Sequence, residues 1–121
     1  MDTPNITWTK SWQLGLKPSE EEFLSLNIID IFEEFWGNQK LSIKSKTTIR
    51  RYSNSLHSIG GHIINQIFNS FQDDEYDLSN PTKEIILLFV DEYEGPWIYD
   101  NEEDQRDIDL VSKKLYKYLK R

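Results

Sequence analysis

The chain has 121 residues, 37% hydrophobic and 29% charged, with six Phe, six Tyr and four Trp, which is enough for one domain and too aromatic for a disordered chain. There is no cysteine, so disulfides and thiolate metal sites are excluded and a reducing cytoplasm is the expected location. The net charge of −7 is distributed in blocks: residues 40–71 carry five basic residues and no acid, whereas residues 72–107 carry 13 acids and two basic residues.

Residues 1–17 have no clean period and are expected to form an irregular arm, with Trp8 and Trp12 either packed on the helices or presented to a partner. From Pro18 the signals change to helix. Ser19 can cap it, Glu20, Glu21 and Glu22 suit its positive end, and Gly37 reads as its stop, with a break expected near Asn27.

The next helix is the clearest. Ile49, Tyr52, Leu56, Ile59, Ile63, Ile67 and Phe71 recur at steps of three and four, and Ser45 is a suitable N-cap. The spacing predicts a helix over residues 46–71, about 39 Å long at about 1.5 Å per residue. Gly60-Gly61 is its weak point: either the helix breaks there, or the missing side chains admit a close neighbour. His57 and His62 lie five apart on this helix, too far around it to share a metal ion, and read as boundary histidines.

An acidic connector follows over residues 72–79. Its run Asp73-Asp74-Glu75-Tyr76-Asp77 lacks the central glycine and twelve-residue frame of a calcium loop. Asn80-Pro81 and Gly95-Pro96 bracket a further predicted helix whose centre, residues 85–90, is apolar all round, as a buried helix or a buried strand would be. This six-residue run is the longest apolar stretch, too short to span a membrane, and no signal-peptide pattern opens the chain. A last helix is predicted over residues 102–120. Its acids come first and its lysines last, in the order the helix dipole favours.

The start of the second long helix has the opposite order. Lys44, Lys46, Arg50 and Arg51 sit where the dipole favours anions, and helical projection groups Thr47, Arg50, Arg51, Asn54 and Ser58 opposite the apolar stripe. Such a face of donors can hold phosphate, unless the acids of residues 72–107 fold back and neutralise it. No nucleophile elbow, phosphate-cradling glycine loop or zinc signature is present, so neither catalysis nor a cofactor is expected.

The run Ile31-Phe32-Glu33-Glu34-Phe35-Trp36, with Leu41-Ser42, Lys46-Thr47-Thr48-Ile49-Arg50-Arg51-Tyr52 and Leu56, resembles the core-binding domain of tyrosine recombinases. The resemblance extends loosely through residues 80–93 and 102–120. It implies a small SAM-like helical bundle that grips DNA, with Lys44, Lys46, Thr47, Arg50 and Arg51 at the DNA-facing start of the second helix. It does not imply catalysis, because the arginines, histidine and tyrosine of the recombinase catalytic domain have no counterpart here. The acidity of the chain also departs from those usually basic domains. The chain is similar as well to small bacterial proteins with a Lys-Thr, Arg-Arg, Gly-Gly helix, a likeness that implies no function.

The expected protein is therefore all-α: a single bundle of four to five helices over residues 18–121, with no metal and no membrane segment. It binds nucleic acid through Lys44, Lys46, Thr47, Arg50, Arg51 and Asn54. In the alternative it is an acidic protein-interaction module or antitoxin-like accessory protein that turns its acidic faces to a basic partner and binds no nucleic acid; Trp8 and Trp12 are separate candidate partner contacts.

Overall fold

The computed structural model describes residues 3–69 and 76–121, and all of its regular structure there is helical. Five α-helices follow one another: α1 (Trp8–Trp12), α2 (Pro18–Asn38), α3 (Lys46–Phe68), α4 (Thr82–Ile86) and α5 (Glu102–Lys120), with a 3-10 turn at Leu41–Ile43. The all-α bundle read from the sequence is the fold observed. α3 is its centre, packed against α1, α2 and α5, while α4 sits on α2.

The apolar periods do the assembling. Leu24, Ile28, Ile29, Phe32 and Phe35 of α2, Tyr52, Leu56, Ile59, Ile63 and Ile64 of α3, and Ile108, Val111, Leu115 and Leu119 of α5 form one buried core. The caps follow chemistry. Ser45 Oγ accepts from Thr48 N at 3.2 Å, and Asn101 Oδ1 accepts from Asp104 N at 2.8 Å.

Several boundaries differ from the sequence reading. α2 runs unbroken past Asn27, with Lys17 in the N-cap position and Pro18 as its first residue rather than Ser19 as cap. Gly37 stays helical, and the left-handed residue that turns the chain is Lys40, at φ 54°. α3 passes straight through Gly60-Gly61 and ends at Phe68, and Phe71 and residues 72–75 of the connector lie outside the described residues.

The largest difference is at α4, where five helical residues stand in place of the helix expected between Pro81 and Gly95. Ile85, Ile86 and Val90 are buried, but Leu88 is 64% exposed, so the apolar run is not uniformly interior. Past Ile86 the backbone tightens into turns, with Leu88 N donating to the Ile85 carbonyl at 3.1 Å and Phe89 N to the Ile86 carbonyl at 2.9 Å. Further on, Asp91 Oδ1 accepts from Tyr93 N and Glu94 N, both at 2.7 Å, closing a side-chain turn that keeps residues 91–94 out of a helix.

The predicted irregular arm holds α1, and α1 is part of the core. Trp8 and Trp12 are 4% and 3% exposed, which leaves them no surface for the partner contact considered above. A Cβ at Gly60 would overlap the Trp12 ring carbons, and one at Gly61 would lie 3.1 Å from Trp12 Cδ1. Gly60-Gly61 is thus the seat of an indole. Trp12 Nε1 donates to the His57 carbonyl at 3.0 Å, and the Trp8 ring meets the His57 imidazole edge-on at 5.0 Å. His62 similarly faces Phe89 edge-on at 6.0 Å, and its partial burial lowers its pKa.

Between α1 and α2 the chain is fastened by one carboxylate. Glu21 is 1% exposed and accepts backbone N–H bonds from Leu14, Gly15, Leu16 and Lys17 at 2.6, 3.2, 2.9 and 2.7 Å. Gly15 supplies the positive φ, 79°, that this loop needs. Burial acts to raise the Glu21 pKa, and the four donors outweigh it, so the carboxyl titrates below its ordinary value.

Candidate nucleic-acid interface

The 3-10 turn and the Ser45 cap deliver the chain into α3 with Lys44, Lys46, Thr47 and Arg50 on the exterior. Among the described residues, none of Lys44, Lys46 and Arg50 forms an ion pair. Ile43, 77% exposed, stands beside them. These four polar side chains are the part of the sequence-predicted site that faces outward on its own.

Arg51 and Asn54 belong to a different surface. Arg51 Nε contacts Asp107 Oδ1 at 3.0 Å, tying the start of α3 to the first half of α5. Both side chains are about 40% exposed, so the pair contributes about 0–1 kcal/mol. It removes one of the five cations of residues 40–71 from the free patch. Asn54, though exposed, lines a groove of about 760 Å³ between α1, α3 and α5, whose walls include Ser53, His57, Ser58, Tyr99, Asp104 and Asp107. Ser58 Oγ and Tyr99 OH hydrogen-bond across it at 2.8 Å. Asp104 and the Arg51-paired Asp107 line this groove, and no lysine or arginine among the described residues does.

Asp107 is the residue that sequence reasoning missed here. It lies 56 positions from Arg51, and no local pattern links the two. The acids of residues 72–107 were expected either to fold back on this helix or to leave it free, and α3 shows one instance of each behaviour: Arg51 paired, Arg50 not.

Among the described residues no three His, Cys, Asp or Glu side chains gather as a metal site, and no helix is long and apolar enough to cross a membrane. His57 and His62 instead pack on different aromatic partners. No protein-family model matches the chain, and no curated protein or solved structure does so either.

Proposed function

We propose that this protein is a cytoplasmic, non-catalytic binding module whose basic start of α3 contacts nucleic-acid phosphates. The observation carrying this reading is that Lys44, Lys46 and Arg50 are exposed at or beside the start of α3, where the helix dipole disfavours cations, and form no ion pair among the described residues. Lys46, the first residue of α3, costs the free helix roughly a few tenths of a kcal/mol, and a phosphate held there reverses that sign. The likeness of residues 31–56 to domains that grip DNA points the same way.

A chain at −7 repels a polyanion over most of its surface, so binding through this patch is local and strongly salt-dependent. Three phosphate contacts give a log–log salt slope of about −2 to −3. The test is fluorescence anisotropy of labelled mixed-sequence DNA and RNA across about 50–200 mM salt. Lys46→Ala with Arg50→Ala flattens the slope by about two, while Arg51→Ala, whose side chain is held by Asp107, changes it less. Absence of binding to either nucleic acid at the lowest salt sinks the reading.

A further inference from the structure

A second surface has the opposite character and is built from other residues. Of the four tryptophans, Trp8 and Trp12 are buried and Trp36 is half-buried, but Trp97 is 77% exposed. Tyr93, four residues earlier, is 74% exposed. A tryptophan left in water forgoes the burial of a large apolar side chain, and buried rings elsewhere in this small domain show that it has a core to offer.

Trp97 is exposed on a fixed backbone. Gly95 N donates to Asp109 Oδ1 at 2.9 Å, Ile98 N and Tyr99 N both donate to Gln105 Oε1 at 3.0 Å, and Gln105 Nε2 donates to the Pro96 carbonyl at 2.8 Å. The segment is strapped along α5 on both sides of the tryptophan. Close approach there is enforced by size, since a Cβ at Gly95 would run into the side chains of Ser112 and Ile108. The main-chain ordering that a partner would otherwise have to impose is already done.

The surroundings are acidic. Residues 91–109 contain nine acids and a single basic residue, Arg106. Trp97 walls a cleft of about 320 Å³ with Asp100, Glu102, Arg106 and Asp109. Arg106 does not lie over the indole: the cation–π contact among the described residues is Arg121 over Tyr118, at 4.2 Å. The indole therefore keeps its face, on a cleft that Asp100, Glu102 and Asp109 also line.

We propose that this strap and the start of α5 form a docking surface for a basic segment of a partner protein, with an arginine or lysine side chain received between Trp97 and the carboxylates of Asp100 and Glu102. An aromatic face and a carboxylate act on one cation at once, a pairing that neither a polyanion nor an anionic membrane can satisfy. Tryptophan is also among the side chains enriched at the energetic centres of interfaces. The proposal is independent of nucleic-acid contact at α3, and either can fail alone.

The probe is an acetylated, amidated Gly-Ser peptide carrying spaced arginines, titrated into the full chain by calorimetry beside its citrulline counterpart, which keeps the shape and loses the charge. The arginine peptide binds saturably, and the citrulline peptide binds at least about tenfold more weakly. Trp97→Ala, at an exposed position, leaves the melting temperature unchanged and weakens arginine-peptide binding about tenfold or more. Glu22→Gln with Glu33→Gln removes two exposed acids from α2 and changes binding by less than about twofold. If Trp97→Ala binds as the parent does, or the α2 variant loses as much as Trp97→Ala, the attraction is only that of an acidic protein for a cation and the proposal is overturned. Failure of the arginine peptide to bind at about 50 mM salt overturns it equally.

Discussion

Residues 8–21 and residues 91–101 both wrap the long helices, and they are held by opposite means. The first wrap is fastened from inside: two buried indoles, a glycine seat on α3, and a carboxylate shielded from water with four N–H donors around it. The second is clipped from outside by Gln105 and Asp109, side chains that remain partly exposed, and it leaves Tyr93 and Trp97 in solvent. Tryptophan thus does two jobs in one small domain. Against the glycine pair of α3 it becomes core, and on the strap along α5 it stays at the surface.

The inner fastening is the one whose loss costs most. Trp12→Ala removes a fully packed indole and its bond to the His57 carbonyl, and it is expected to destabilise the fold by about 3–5 kcal/mol in chemical denaturation. Gly60→Ala reports the same contact from the other side. In a helix without Trp12 that change gains about 1 kcal/mol, whereas against the indole it costs about 1–3 kcal/mol. The double variant is therefore less destabilised than the sum of the two single ones. Additive costs would mean that Trp12 and Gly60 do not form one packing unit.

Next in size is Glu21. Glu21→Gln replaces a carboxylate with a group that has one acceptor oxygen and two donors, setting an N–H against N–H groups, and should cost about 2–3 kcal/mol at neutral pH. The folded-state pKa is the lower one, so the carboxylate's contribution is complete above the ordinary value of 4.5 and is lost as pH falls toward the folded value. Denaturation series from about pH 6 to pH 3 should show parent and variant converging in acid. A gap that stays constant would mean that Glu21 acts by shape alone.

These features mark how far the sequence could be read. α3 and α5 were legible because their stripes repeat over many turns and their start signals, the Ser45 cap and the first-turn acids of α5, lie next to them in the chain. α4 was overestimated because an all-apolar run has no period, and the chain past Ile86 tightens into turns before Asp91 gathers the amides of Tyr93 and Glu94. Glu21 was hidden among three consecutive glutamates, of which Glu20 and Glu22 are exposed. Nothing local distinguishes the one that turns inward. The candidate site divided for a similar reason: helical projection puts Arg50 and Arg51 on one outward face, and only tertiary packing brings Asp107 to the second of them.

The smallest expected effect is the one that best separates the two fastenings. Gln105→Ala deletes bonds to Ile98 N, Tyr99 N and the Pro96 carbonyl, yet these groups are partly exposed and water can replace the side chain. A loss of about 1–2 kcal/mol is expected, less than for Glu21 despite a similar number of bonds, because the freed amides do not stay dry. If the clip serves the surface rather than the core, the variant also weakens the arginine peptide, since a loosened Trp97 must be ordered again on binding. Titrating that peptide into Gln105→Ala, with the melt recorded alongside, gives both numbers. A large melt shift with unchanged peptide affinity would reverse the comparison and make the outer strap, like the inner one, a device for stability.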